Sequence, residues 1–461
     1  MFLDIFNSGL SWLAYSVAGL STWYILSSVI AWYRLRHIPG PFLASFSYFW
    51  VAYGTVTGTT YDNLVSLHRK YGSLVRVGPN EVLSDDPALV RKFSNIHSTY
   101  TKGDWYLGSR FNPYHDPMFL IKDPIKHDRV KAKLSPAYSG RDAPNLEDVV
   151  DKQVGNLVQL IKEKYISTKS DFRPMNMTRI ASLFTIDVIS HLSLGSEFGC
   201  LKADFDIHGI NKAFTEHLLV MSLATDIPWL RNFIFSPLFL WFFGPTEKDS
   251  KGVGKLMKLA NTVVRERYDP NAKEQRDMLV YLQLKQELKE AISEGRASSP
   301  ITDIESRRLP YLQAVIYETI RIRPTTMSMF FKDIPAGGES IHGHFLPAGT
   351  SVGTNMSALL HSEALFGPDA HLFRPERFLE VDKDTRVKMK GYVDLMFGYG
   401  RWICAGKPIA LMELNKVLFE LLREFDFQLA EPTMAMKTKS FLVFYDQGPI
   451  LRVTKASEKS Q

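Results

Sequence analysis

From Ile5 to Tyr33 the chain runs for 29 residues without a charge. That is long enough to cross a hydrocarbon layer of about 30 Å as a helix. Asp4 precedes the stretch and Arg34, Arg36 and His37 follow it at once. Cations on the C-terminal side place the bulk of the chain on the cytoplasmic face. The stretch is longer than the apolar region of a cleaved leader, has no basic residues ahead of it and ends in arginine, so a retained span is expected. Residues 1–9 then form a short lumenal N-terminus and 10–33 the spanning helix. The segment 34–45, with Pro39 and Pro41 around Gly40, reads as a stiff hinge because proline cannot continue a helix. Residues 46–461 form one body, with no repeat or low-complexity tract to divide it.

Within that body the pattern changes along the chain. Short alternating segments come first, and residues 72–86 read as a hairpin turning at Pro79 and Asn80. From about residue 145 apolar positions recur at helical spacing, through 146–165, 176–195 and the stretch before Pro324. Ribbon signals return at 339–352, and a last helix follows Gly406. This order predicts a mainly α fold with small β-sheets, an α+β architecture. The segment 217–245 is strongly apolar, but Asp226, Pro228, Arg231 and Pro237 interrupt it. It belongs either to the core or to a surface dipping into the bilayer, where it lines a route for lipophilic ligands.

Lys and Arg number 55 against 49 Asp and Glu, a net charge of +6 spread without a basic run. Nucleic acid is not an expected partner. An ordinary basic surface, an acidic protein partner and anionic lipid all remain compatible with this balance. Cys200 and Cys404 are the only cysteines, too few for a disulfide framework, which agrees with a cytosolic body.

Cys404 sits in FGYGRWICAG, residues 397–406, behind Gly398 and Gly400 and just before Gly406 and a helix start. Taken alone it can be a small buried hydrophobe, a nucleophile or a metal ligand. The glycines let backbone approach a flat object, a helix N-terminus favours a thiolate, and no histidine in the motif serves as a base. An axial thiolate to haem iron fits all of these features.

FGYGRWICAG resembles the haem-binding loop of the cytochrome P450 superfamily in its fungal form, F-G-x-G-R-x-x-C-x-G. Glu318 and Arg321 in YETIRIRP match that family's E-x-x-R, and FRPERF (373–378) resembles the segment whose arginine, here Arg377, joins them in a buried charge cluster. The resemblance covers about residues 38–455. It implies the P450 fold behind an N-terminal transmembrane helix, haem as cofactor with Cys404 as iron ligand, and Phe397, Gly398 and Gly406 in the haem loop. HDRVKAKLSPAYS (127–139) is similar to the helix crossing the haem edge, which makes His127, Lys131 and, from the loop, Arg401 the expected propionate contacts. Lys131 stands where arginine is usual, and Trp402 stands where many members place theirs. Lys332, His361 and Trp402 are further candidates. The resemblance also implies an endoplasmic reticulum membrane protein, single-pass with a cytosolic haem-thiolate catalytic domain, oxidising a lipophilic small molecule of secondary metabolism. Electrons come from NADPH through a flavoprotein reductase.

One family signature is missing. The distal helix marked by A/G-G-x-D/E-T-T/S occurs nowhere in the chain. EQRDML (274–279) resembles the stretch before it and VYLQLKQELKEA (280–291) the helix after it, as though roughly fifty residues were removed between Leu279 and Val280. An exon assignment or splice form, a non-catalytic relative, and a protein in which another segment covers the iron all account for this. A haem protein without oxygenase activity, and an isomerase or dehydratase using the same thiolate, are therefore the competing functions.

Overall fold

The computed structural model describes residues 2–138, 146–246, 249, 252–258, 291–327, 329–431 and 437–456. The Leu279–Val280 junction lies outside the described residues. The first helix runs Phe2–Arg34, and within it Ala14–Arg34 is apolar and long enough to cross a membrane, with none of that window buried against the protein.

The end of this helix is bonded to the body. Leu35 and Ile38 are buried in a core cluster with Leu74, Val82 and Val352. Arg76, 1% exposed, donates to the carbonyls of Ala31 (2.9 Å) and Trp32 (3.2 Å) in the last turns of the helix, and also to those of Gly78 and Pro79. Carbonyls at a helix C-terminus lack partners within the helix and carry its negative end, so a buried guanidinium satisfies both needs. Gly40 passes so close that a Cβ there would meet the Arg76 carbonyl oxygen at 2.2 Å.

Behind this joint lies a five-stranded sheet ordered Leu74–Arg76, Glu81–Ser84, Ser351–Thr354, Lys332–Asp333, Thr101–Lys102. The expected hairpin is its first pair, with Val75 opposite Leu83. The expected ribbon is the separate two-stranded pair Glu339–Ile341 and His344–Leu346. The helical part packs Leu146–Lys164, Met177–Leu194, Pro310–Ile322 and Lys407–Glu424 around one large apolar cluster that includes Val150, Ile161, Val188, Leu312 and Phe419. The Pro310–Ile322 helix begins on its proline, whose missing N–H costs nothing in a first turn.

The segment 217–245 resolves into the end of the Ile210–Asp226 helix and two short helices, Pro228–Ile234 and Pro237–Phe243. Trp229, Phe233, Leu238, Trp241, Phe242 and Phe243 are all exposed. Of the two expectations for this stretch, burial in the core does not hold for its second half: proline breaks the helices every few residues, so no continuous face can turn inward.

Candidate functional site

The Lys383–Val393 helix gives way to two 3-10 turns, Asp394–Phe397 and Gly400–Trp402, and the chain then enters the Lys407–Glu424 helix. Gly398 and Gly400 take φ of 79° and 53°. A Cβ on Gly398 would lie 2.6 Å from the Trp402 carbonyl oxygen, and one on Gly400 2.4 Å from that of Ser94. The loop doubles back at the first glycine and rests on the end of the Pro87–Ser94 helix at the second. Gly406 differs: its φ is −78°, it caps the following helix, and a Cβ there would only touch the Cys404 Sγ at 3.8 Å. The Cys404 N–H donates to the Phe397 carbonyl at 2.6 Å, closing the loop.

The Cys404 side chain is exposed whereas Cys200 is buried, so the small-hydrophobe reading suits Cys200 alone. Among the described residues no group of three or more His, Cys, Asp or Glu could hold a metal ion. A metal at Cys404 would accordingly take one protein bond and its remaining ligands from elsewhere, as iron in a porphyrin does.

A ring of cations stands beside the loop, centred on Trp402. The ammonium groups of Lys102 and Lys332 lie 4.3 and 4.4 Å from its ring centroid, and His127 packs against it at 4.5 Å. Lys102 and Lys332 are direct cross-strand partners in the five-stranded sheet, and both are 3% exposed. Like charges placed opposite one another in a sheet repel. Lys102 donates to the Phe119 carbonyl at 2.6 Å, but Lys332 Nζ makes no hydrogen bond. Burial, and secondarily the Lys131 charge, pushes Lys102 down to about 7; burial and the Lys102 charge press Lys332 well below the usual lysine range. Two buried lysines whose charge burial disfavours, one of them without a hydrogen bond, fit a group carrying two carboxylates, whose charge would restore theirs. Haem carries two propionates, and the residues present fit it: sulfur from Cys404, cations from Lys102 and Lys332.

The residues expected at the propionates are engaged differently. Lys131 donates to the loop carbonyls of Arg401 (2.9 Å) and Ile403 (2.8 Å), Arg401 pairs with Asp128 at 3.0 Å, and His127 Nδ1 lies 3.1 Å from the same carboxylate. Lys131 thus braces the cysteine loop from below. His361 is remote from this ring, bonding Tyr61 and the Ser357 carbonyl. Lys102 escaped the sequence reading because a two-residue strand has no periodicity to betray a buried lysine.

Glu318 and Arg321 pair across one helical turn, and Arg377, which only the family resemblance brought to this cluster, joins them. Arg321 forks onto Glu318 with Nε and Nη2 both at 2.8 Å, Arg377 Nε reaches Glu318 Oε1 at 3.0 Å, and the three side chains are at most 1% exposed. Arg321 also donates to the carbonyls of Leu360, Ala370 and Leu372, so the cluster ties the Pro310–Ile322 helix to two later loops. Asp369, unforeseen in the sequence, adds a carboxylate 2.8 Å from Arg377, which holds it down to about 2.

Two cavities adjoin these elements. One, of about 340 Å³, is walled by Trp105, Asp226, Arg231, Met329, Phe331 and Asp333 among others. The second, of about 450 Å³, is lined by Phe111, Phe235, Phe239, Leu240 and Phe243, beside the exposed aromatic helices.

Comparison with known proteins places this geometry. The sequence model of the family Cytochrome P450 matches in two stretches, residues 38–286 and 280–449. The chain is similar to the cytochrome P450 monooxygenase aba1 of Botryotinia fuckeliana, 42% identical with 92% of each chain covered, and to the cytochrome P450 monooxygenase abl1 of Leptosphaeria maculans, 40% identical over 94% of this chain and 86% of the relative. It is 28% identical to pisatin demethylase of Fusarium vanettenii over 90% of this chain and 88% of the relative. The first alignment spans 469 positions yet covers 92% of 461 residues, about 424, so about 45 positions of it have no counterpart here.

Proposed function

The chain belongs to the cytochrome P450 family, and from that premise we propose that it is a membrane-anchored, haem-thiolate monooxygenase that oxidises a lipophilic small molecule of fungal secondary metabolism. Haem is the cofactor and supplies the activation of dioxygen. In this reading Cys404 is its protein ligand, presented by the glycine-framed turn and braced by Lys131. Lys102 and Lys332 receive the propionates, and the Glu318–Arg321–Arg377 cluster holds the scaffold behind the loop.

The first helix spans the endoplasmic reticulum membrane once, with residues 46–461 on the cytosolic side as the catalytic domain. The exposed aromatics of 228–243 rest on the same bilayer and admit lipophilic substrate through the 450 Å³ cavity. NADPH electrons arrive through a flavoprotein reductase.

The observation that carries the reading is the exposed cysteine in a loop whose Trp402 packs against two buried lysines, one of them without a hydrogen bond. Two measurements test it. Protein expressed with ample haem supply and reduced under carbon monoxide should give the absorption band of thiolate-ligated haem. With reductase and NADPH, it should convert a lipophilic substrate to an oxygenated product. Colourless protein would overturn the assignment.

A second reading is supported by the split family match and the unmatched positions: the chain lacks the distal helix, and its oxygenase activity is impaired. Sequencing the transcript across Leu279 and Val280, and measuring turnover with a family distal helix inserted there, separate the two. Turnover unchanged by the insertion would sink this second reading.

A further inference from the structure

The 340 Å³ cavity lies across one strand from the cation ring. In Lys332–Asp333 successive side chains point to opposite faces, so Lys332 meets Trp402 while Asp333 lines the cavity. Trp105, a cavity wall, packs edge-on against Tyr106, whose ring contacts both buried lysines. The cavity is therefore separated from the cation ring by this strand and the Trp105–Tyr106 pair.

The polar groups of the cavity are unevenly satisfied. Each of its four carboxylates already has an internal partner. Glu81 accepts from the Asn80 N–H at 3.0 Å and the Tyr48 hydroxyl at 3.1 Å, Asp226 from Thr55 at 2.9 Å, Asp333 from Ser351 at 2.8 Å, and Asp104 pairs with Lys122. Arg231 does not. It is 6% exposed, makes one hydrogen bond, 3.3 Å from Nη1 to the Thr225 carbonyl, and has no carboxylate within 4.0 Å among the described residues. The indole N–H of Trp105, 7% exposed, is directed to the Asp226 carboxyl group. Arg231 is thus the least satisfied polar group in the cavity, and it carries a full charge. A buried guanidinium is costly unless paired, and its fork geometry matches a carboxylate. Val51, Val77, Met329 and Phe331 supply apolar walls.

We propose that this cavity binds the substrate by a carboxylate, held by Arg231, with the apolar body of the molecule against Val51, Val77, Met329 and Phe331. The inference rests on the monooxygenase reading and narrows its substrate class to apolar carboxylic acids. Neutral isosteres lose the charge-assisted bonds to Arg231, and amines meet a guanidinium with their own sign.

The test uses the full chain in detergent, titrated with octanoate, octanamide and octylamine while Trp fluorescence and melting temperature are followed. Octanoate should bind at least about tenfold more tightly than octanamide, a difference typical of charge-assisted hydrogen bonds. Arg231→Gln should erase that preference. Equal binding of acid and amide, or tighter binding of the amine, overturns the proposal. If Arg231→Gln fails to fold, Arg231→Lys keeps the test open: a charged but unforked group should retain only part of the preference, and full retention counts against the forked contact. Cys404→Ser separates this inference from the one beneath it, since acid preference that survives in that variant stands even where no oxygenated product forms.

Discussion

Arg377 Nε lies 3.0 Å from Glu318 Oε1, with Arg377 1% exposed and Glu318 fully buried. Removing a buried charge that its partners depend on costs about 3–5 kcal/mol. Glu318→Ala, which strands Arg321 and loosens Arg377, should lower the unfolding midpoint in urea by that equivalent, while Arg377→Ala, which leaves Glu318 paired with Arg321, should cost less. The double variant should cost less than the sum of the singles, because the Glu318–Arg377 bond is then lost only once. Strictly additive losses would mean that the two residues do not act as a pair.

Cys404→Ala should abolish haem incorporation while leaving the circular dichroism spectrum unchanged, because the side chain is exposed and supports no packing. An unaltered Soret band in the variant would contradict the role given to the sulfur.

Gly400→Ala is expected to destabilise the cysteine loop, since its φ of 53° is uncongenial to side chains and the Ser94 carbonyl stands 2.4 Å from the new methyl. A loss of about 1–3 kcal/mol is expected from such backbone strain. Gly406→Ala, at an ordinary φ and with only a 3.8 Å contact to sulfur, should be milder. Thermal melts of the two variants side by side check the ordering.

Asp226 titrates near 7 instead of its ordinary 3.8, chiefly because burial penalises its charge. Between those values the folded protein holds a proton that the unfolded chain has released. Stability from this group is full below about pH 4 and declines as pH rises toward 7, by at most about 1.4 kcal/mol per unit. Asp226→Asn keeps an acceptor for Thr55 and should flatten that part of the stability profile, making the variant the more stable protein at pH 8. A parallel pair of profiles would show that Asp226 ionises normally.

How much of this was legible before folding depended on whether a feature is local. The cysteine loop, Glu318 with Arg321 one helical turn later, and the Pro310 helix start are written in spacings of a few residues. The apolar period of 146–164 likewise fixed a helix and its buried face. Lys102 opposite Lys332, and Arg231 facing Trp105 across a cavity, join residues more than a hundred positions apart through sheet register and helix packing. Nothing in the neighbourhood of either lysine distinguishes it from one in solvent. For Lys131, its place on the Pro124–Tyr138 helix was readable, but the nearness of the Arg401 and Ile403 carbonyls was not.

The grip of Arg76 on Ala31 and Trp32 makes the first helix a lever instead of a tether. A lever passes on every inclination it receives. Under the proposed anchoring, a thinner or thicker lipid layer that leans that helix also leans the body, carrying the aromatic helices at 228–243 nearer to the lipid or away from it. Lipid thickness would in this way regulate how readily oily molecules come aboard, with no change at the cysteine itself.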